Sequence, residues 1–194
     1  YRVARLIEQG VHPSHILLLT FTRRAAQEML QRVGLLVGGR SDQVRGGTFH
    51  SVGNILLRRY GQSIGLDSSF TIMDRSDAED VIHLLRSEYG LHEKGRRVPR
   101  KNTIAEMFSK TVNTLRALDD VIFGDYAHFV ELIDDLNHLQ KAYQNYKAKH
   151  SLVDFDDLLV KLDELLDSEA ALHEEISKAF RYMLVDEYQD TNFL

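Results

Sequence analysis

The sequence contains no cysteine among its 194 residues, which removes disulfide bonds, thiolate metal sites and cysteine nucleophiles from consideration. Tryptophan is absent as well, so phenylalanine and tyrosine must supply the aromatic part of any core. Apolar runs are only a few residues long, whereas a membrane-spanning helix needs roughly 20. The first residues show no signal-peptide pattern. We therefore expect a cytoplasmic protein with no membrane partner.

An excess of positive charge is also missing, since the formal net charge is −5 and the isoelectric point is about 6.0. Proteins that hold nucleic acid through their overall field are normally basic. Any contact with nucleic acid must therefore use a local cationic strip. The hydrophobic content of 43% is enough for one substantial core or two small ones.

Two strand–helix repeats near the N-terminus predict an α/β domain with a parallel sheet. The first strand is the apolar run Ile16–Leu19, which suits a buried parallel strand, and the second lies around residues 44–49. A further strand is expected at residues 182–185, after helices that begin near Phe155 and Glu169. The predicted buried helical positions before residue 61 are Val3, Leu6, Ile7, Ala25, Ala26, Met29, Leu30, Val33, Val52, Ile55, Leu56 and Tyr60.

The middle of the chain changes character, because helical periodicity runs from Ser76 to about His150 without a strand signal. We expect an all-helical subdomain inserted into the α/β domain. The predicted organisation is an α/β part at 1–60, the helical insert at 61–150, and a return to the α/β domain at 151–194. The buried stripes expected in the insert are Ala78, Val81, Ile82, Leu85 and Tyr89; Ile104, Phe108, Val112 and Leu115; and Phe129, Leu132, Ile133, Leu136, Leu139 and Tyr143.

Asp186 and Glu187 form the sharpest chemical signal, since a buried strand delivers two adjacent carboxylates to its carboxyl end. Open α/β sheets bind their ligands at that edge. In nucleotide hydrolysis one acid would serve Mg²⁺ and the other would polarise the attacking water. Gln189 is placed to relay the state of the γ-phosphate. The alternative is an acidic strand end that simply faces solvent.

The segment after the first strand combines an aromatic residue, a helix cap and two cations. Thr22 suits the cap of the following helix. Arg23 and Arg24 fall in its first turn, where they oppose the helix dipole unless a polyanion docks there. Phe21, at the strand end, is placed to stack on an unpaired base, and the alternative for it is a core aromatic.

The segment after the second strand, GTFHS, again runs from a strand into a helix. Thr48 and Ser51 offer hydroxyl groups for capping or for phosphate contact, and His50 offers a donor of adjustable charge. The alternative for His50 is a structural residue with its hydrogen bonds satisfied inside the protein.

Four strings, TFTRRAAQEM, GTFHS, LVDFDDLL and LVDEYQDTN, occur in the order and rough spacing of the UvrD/Rep/PcrA-like superfamily 1 DNA helicases. The chain resembles this family over essentially its whole length, and the helical insert resembles the 1B subdomain of the family. The resemblance implies a partial RecA-like P-loop NTPase domain with an inserted helical subdomain. It also implies a 3′-to-5′ motor that hydrolyses ATP while it steps along single-stranded DNA.

The same resemblance assigns roles to individual residues. Asp186 would hold Mg²⁺ through water, Glu187 would activate the hydrolytic water, and Gln189 would couple the nucleotide state to DNA. The expected partners are ATP, single-stranded DNA and duplex junctions, in DNA repair or replication. The residues expected to bind DNA are Phe21, Thr22, Arg23, Arg24, Thr48, Phe49, His50 and Ser51.

Two departures from the family pattern matter. The family commonly has an Asn-Lys pair where this chain has Arg23 and Arg24, so a specific asparagine contact to DNA does not carry over. The phosphate-binding sequence G-x-x-x-x-G-K-[ST] is also missing, and the chain starts at Tyr1 instead of a methionine. We therefore expect a truncated motor that does not hydrolyse ATP by itself.

Two other functions remain open at this point. One is the motor part of a helicase–nuclease subunit resembling AddA or RecB, and the other is a degenerate DNA-binding module that hydrolyses nothing. The basic residues between Lys94 and Lys101 are either a solvated loop or a contact to the DNA backbone. The acids Asp154, Asp156 and Asp157 open a helix, where they complement its dipole, and are expected to be structural; the alternative is a minor role in the DNA track.

Overall fold

A computed structural model describes residues 1–38, 43–91, 98–168 and 170–190 of the chain. These residues form two compact units, which are described separately. The first consists of Tyr1–Gly65 and, among the described residues, 161–190; the second is Leu66–Val160. None of the helices in the described part of the chain combines the length and the apolar character that crossing a bilayer requires.

Helices make up most of the described chain, and the strands are short. The helices are α1 (Arg2–Glu8), α2 (Arg23–Val37), α3 (Phe49–Tyr60), α4 (Arg75–Glu88), α5 (Lys101–Thr114), α6 (Leu118–Asp125), α7 (Ile133–Lys149), α8 (Phe155–Ser168) and α9 (Ala170–Ala179). The strands are β1 (Ile16–Thr20), β2 (Arg45–Thr48), β3 (Thr71–Ile72), β4 (Leu152–Val153) and β5 (Tyr182–Val185). Short 3-10 turns occupy Pro13–His15, Gly61–Ile64, Ala127–Leu132 and Tyr188–Asp190.

A parallel three-stranded sheet, in the order β2-β1-β5, lies at the centre of the first unit. Every residue of β1 is buried, as expected for an apolar run in the middle of a parallel sheet. Thr20 lies opposite Thr48, and Leu19 lies opposite Val185. The three strands therefore end at the same edge of the sheet.

Gly46 allows β2 to lie close against β1. A β-carbon at this position would come within 3.1 Å of the Cβ and the carbonyl oxygen of Leu18 and within 3.2 Å of Leu30 on α2. The carbonyl oxygen belongs to the backbone, so a side chain here would push the two strands apart. Glycine at position 46 thus serves the packing of this sheet.

One core cluster of the first unit forms where α1 and α2 pack against the sheet. The predicted α2 face is confirmed at Ala26 and Val33, which are buried. The predicted α3 stripe is wrong at Ile55, which is 64% exposed, because the buried face of this helix is centred on Gly53 and Leu57. Gly53 has no side chain, so it contributed nothing to the apolar periodicity. The buried members of this core are Val3, Ile7, Ile16, Leu18, Val33 and Val44.

The second unit is helical, as the periodicity between Ser76 and His150 predicts for the described residues. Its two strands, β3 and β4, pair in parallel through Thr71 and Leu152, and the sequence did not predict them. A two-residue strand is too short to show an alternating pattern. The buried core is Met73, Ala78, Ile82, Leu85, Leu91, Ile104, Ala105, Met107, Phe108, Leu118, Ile122, Phe129, Leu132, Leu136, Leu139 and Tyr143.

Tyr89 and Leu115 do not belong to this core, although the sequence pattern placed them there. They are 54% and 63% exposed. Both are the C-terminal cap residues of their helices, α4 and α5. The helical periodicity stops at a cap, so the side chain no longer follows the buried stripe.

Candidate functional site

The carboxyl edge of the three-stranded sheet gathers all three segments that the sequence marks as chemically active. Phe21 follows β1, Phe49 follows β2, and Asp186 follows β5. The backbone N–H of Asp186 donates to the carbonyl oxygen of Leu19 over 2.9 Å, which ties the acidic segment to the end of β1. This edge is where open α/β sheets bind ligands.

Phe21 lies at the surface and contacts a second aromatic ring. Its side chain is 40% exposed, so the alternative of a core aromatic is wrong. The Phe21 and Phe49 ring centroids lie 5.4 Å apart with a tilt of 48° between the ring planes. This spacing falls within the range of favourable aromatic pairs. The edge of the sheet thus presents an accessible ring backed by a half-buried one.

Thr22 caps α2, as the sequence predicts. Its Oγ1 accepts a hydrogen bond from the backbone N–H of Ala25 over 3.1 Å. Arg23 and Arg24 follow in the first turn, both are exposed, and that turn contains no acidic residue. Two guanidinium groups next to the positive end of a helix dipole make this turn a suitable place for an anion.

Thr48 and Ser51 form the corresponding cap of α3. Thr48 Oγ1 accepts from the backbone N–H of Ser51 over 3.2 Å, and Ser51 Oγ donates to the carbonyl oxygen of Thr48 over 2.8 Å. Thr48 is buried, while Phe49 and His50 are half-buried. The two hydroxyl groups are therefore already engaged in fixing the start of the helix, and their predicted contact with DNA stays a prediction.

Asp186 and Glu187 are exposed at the end of β5, in a bend that leads into the turn Tyr188–Asp190. Glu187 has a φ of 53°, in the left-handed region that non-glycine residues rarely adopt. The side-chain amide of Gln189 donates to the Glu187 carboxylate. The bend therefore carries Asp186 next to Glu187 in the chain and joins the Glu187 carboxylate to the Gln189 amide.

The carboxylates of Asp186 and Glu187 are oxygen ligands of the kind that Mg²⁺ takes in proteins. Mg²⁺ is usually bound by one or two carboxylates together with phosphate oxygens and water. Asp186 and Glu187 supply carboxylates of that kind at the correct edge of the sheet. Among the described residues, no group of three or more His, Asp or Glu side chains is arranged to hold a metal ion.

The whole chain, residues 1–194, matches the sequence profile described as the UvrD/REP helicase N-terminal domain. The chain belongs to this family. Its mixed α/β fold, with a small parallel sheet and mostly helices, is consistent with that membership.

Curated relatives of this UvrD/REP helicase domain are named ATP-dependent DNA helicase PcrA. The Bacillus subtilis protein is 34% identical over 193 residues, which make up 99% of this chain and 25% of that protein. The Staphylococcus epidermidis protein is 33% identical and the Staphylococcus aureus protein 32% identical, each over 198 residues, 99% of this chain and 26% of the relative. The chain spans about a quarter of the length of these relatives.

The helical unit of this UvrD/REP helicase domain contains a buried ionic cluster that sequence reasoning missed. Lys147 is only 3% exposed, and its ammonium lies 2.6 Å from Asp154 Oδ2 and 2.6 Å from Asp157 Oδ2. The Tyr143 hydroxyl donates to Asp154 Oδ2 over 2.9 Å. A signal was present, since Lys147 follows Tyr143 by four residues and so continues the buried stripe of α7.

The acids of this cluster also begin α8, which confirms their structural assignment. The backbone N–H of Asp157 donates to Asp154 Oδ1, and the backbone N–H of Asp154 donates to Asp157 Oδ2. Asp156 accepts a hydrogen bond from the Asn113 side chain over 3.2 Å. The side chains of Asp154 and Asp157 therefore accept backbone hydrogen bonds at the start of α8 and also neutralise the buried Lys147 ammonium.

The pKa values of the two buried carboxyl groups, Asp154 and Asp157, are shifted in opposite directions. Burial alone would raise the pKa of Asp154, but the Lys147 ammonium and the hydrogen bonds to the carboxylate outweigh it and lower that pKa. Burial raises the pKa of Asp157, and the neighbouring Asp154 charge adds to the increase. Burial also raises the pKa of the Tyr143 hydroxyl, followed by the effect of Asp154.

The structure describes only part of the basic segment between Lys94 and Lys101. Lys101 begins α5, and its ammonium lies 2.6 Å from Asp80 Oδ1. Arg100 is exposed at the cap position of the same helix. Lys94, Arg96 and Arg97 lie outside the described residues.

Proposed function

We propose that the chain is the N-terminal motor part of an ATP-dependent DNA helicase that moves 3′-to-5′ along single-stranded DNA and unwinds duplex at junctions. The supporting observation is the shared carboxyl edge of β1, β2 and β5, which carries an exposed aromatic residue, two cations and two acids. The relatives are named ATP-dependent DNA helicases. We place the activity in the full-length protein, in DNA repair or replication.

We assign the hydrolytic chemistry to the segment after β5. Asp186 would hold the magnesium ion through water, and the ion would supply positive charge against the phosphates of ATP. Glu187 would orient and deprotonate the attacking water. The Gln189 side-chain amide donates a hydrogen bond to the Glu187 carboxylate, so a movement of Gln189 would also move the carboxylate that activates the water.

We assign the DNA track to the segments after β1 and β2. Phe21 would stack on an unpaired base, which supports binding without a sequence preference because every base has a π-face. Arg23 and Arg24 would hold the phosphate backbone from the first turn of α2. Thr22, Thr48, Phe49, His50 and Ser51 would form the rest of the track.

We further propose that the helical unit Leu66–Val160 is the subdomain inserted into a RecA-like α/β domain. Its residues separate β1 and β2 from β5 in the sequence, while these three strands share one sheet. This order of elements is the one expected when a separately folded segment is inserted between two strands of the same sheet.

The test is steady-state ATP hydrolysis by the full-length protein, with and without single-stranded DNA. The wild type should show DNA-stimulated turnover. Glu187→Gln should lower turnover by about 100-fold or more, since removing a general base typically costs about 10²–10⁴ in rate. Nucleotide binding, measured with a fluorescent ATP analogue, should be retained.

Glu164→Gln is the matched control, because Glu164 is an exposed glutamate on α8. It should leave turnover unchanged. Full turnover in Glu187→Gln would remove Glu187 from its assigned role. A wild-type protein that binds single-stranded DNA but shows no turnover would overturn the motor and favour the binding module.

A further inference from the structure

Phe21 and Phe49 occupy equivalent places in two neighbouring strand–helix junctions. Each is the first residue after its strand, and the preceding threonines, Thr20 and Thr48, lie opposite each other in the parallel ladder. The ladder therefore fixes the two phenylalanines side by side. Their ring centroids lie 5.4 Å apart with a tilt of 48°.

The two rings differ in how firmly their backbones are held. Phe49 is the first residue of α3, and the Thr48–Ser51 cap closes around it with hydrogen bonds of 3.2 Å and 2.8 Å. Phe21 lies in the bend before the Thr22 cap, outside both strand and helix. Phe49 is half-buried, whereas Phe21 is 40% exposed. An anchored ring thus supports an accessible one.

We infer that Phe49 is a positioning residue that holds the Phe21 ring ready to stack on an unpaired base of single-stranded DNA. The inference rests on the proposed function and changes one part of it, since Phe49 acts through Phe21 instead of touching DNA itself. Ordering an exposed side chain on binding costs affinity. A ring that is already restrained by its neighbour loses less freedom when a base arrives.

This arrangement has a measurable signature, which is energetic coupling between the two positions. Removing the Phe49 ring should weaken DNA binding only while Phe21 is present. A double-mutant cycle isolates such a dependence, because independent residues give additive effects and coupled residues do not. A residue that merely supports the fold would show no such selectivity.

The experiment measures the affinity of the full-length protein for a single-stranded oligonucleotide that contains 2-aminopurine, whose fluorescence falls when it stacks. Phe21→Leu should weaken binding by about 5- to 100-fold, the range of a lost base–aromatic stack. Phe49→Leu should weaken it by about two- to tenfold and reduce the quenching. The double variant should bind no more weakly than Phe21→Leu, and Phe49→Tyr should restore wild-type affinity.

Phe123→Leu is the control, because Phe123 is a 59% exposed phenylalanine in the helical unit. It should leave affinity and quenching unchanged. Phe49→Met retains apolar volume and takes the place of Phe49→Leu in the cycle if thermal unfolding shows that the leucine variant is destabilised.

The outcomes separate the two proposals. If Phe21→Leu binds as tightly as the wild type, the proposed base stacking fails. If Phe21→Leu weakens binding while Phe49→Leu has no effect, or adds its own independent loss, the positioning role is overturned and the proposed stacking stands.

Discussion

The ammonium of Lys147 lies 2.6 Å from the carboxylate of Asp157, and Lys147 is only 3% exposed. Removing one partner of a buried ion pair leaves an uncompensated charge, which typically costs about 3–5 kcal/mol. We expect Lys147→Met to lower the free energy of unfolding by about that amount, because it leaves Asp154 and Asp157 facing each other. Urea unfolding followed by circular dichroism measures the change.

Lys149→Met provides the matched control, since Lys149 is exposed near the end of the same helix. Its effect should stay within about 0.5 kcal/mol. A Lys147→Met protein as stable as this control would show that the cluster contributes nothing to folding.

Asp154 and Asp157 should respond differently to neutralisation and to pH. Asp154 has a lowered pKa in the folded state. Its ionised carboxylate therefore stabilises the fold at pH values above its unfolded-state pKa, which is near 4. This stabilisation is lost as the pH falls through the folded-state pKa. Asp157 has a raised pKa, so its favourable contribution exists at low pH and is lost as the pH rises. Neutralising Asp154 should therefore be the more costly change at neutral pH.

The measurement is urea unfolding of Asp154→Asn and Asp157→Asn at pH 7 and again below pH 4. At pH 7 Asp154→Asn should lose more stability than Asp157→Asn. Below pH 4 the gap between Asp154→Asn and the wild type should narrow. Equal losses for the two variants at both pH values would contradict the opposite pKa directions.

Leu115 offers a stabilising substitution. It ends α5 with a φ of 51° and is 63% exposed, so an apolar β-carbon occupies a left-handed cap position. Glycine is the preferred residue there because it lacks the steric penalty of about 1–2 kcal/mol. Part of the gain is offset by the greater freedom of glycine in the unfolded chain. We expect Leu115→Gly to raise the free energy of unfolding by about 0.5–1 kcal/mol.

Thermal and urea unfolding of Leu115→Gly, Leu115→Asn and Leu115→Val check this expectation. Asparagine tolerates the left-handed region and should be close to neutral, while valine should be destabilising. A loss of stability in the glycine variant would mean that the Leu115 side chain makes contacts that outweigh its backbone strain.

The strands that the sequence predicted are the ones with enough residues to carry a pattern. β1 has five residues, of which the predicted run Ile16–Leu19 is apolar, and β5 has four residues at the predicted positions 182–185. β3 and β4 have two residues each and were missed. Their pairing depends on bringing together residues 71 and 152, and no local pattern contains that information.

The same division applies to the candidate site. The shared edge of Phe21, Phe49 and Asp186 was predictable, because parallel strands end on one side of a sheet. The charge of Lys147 suggested an exposed side chain, and only its spacing from Tyr143 pointed inward. Its carboxylate partners come from a different helix, so the cluster becomes visible only after the chain has folded.

The hydrogen bond from Asp186 N–H to the Leu19 carbonyl has a consequence for the design of variants. It joins the acidic bend to the strand that leads, two residues later, to Phe21. A substitution that shifts the backbone at position 186 will therefore also move the aromatic residue, and the reverse holds as well. Variants of this edge must therefore be designed with the acidic bend and the aromatic pair considered together, because a backbone change in one is passed to the other.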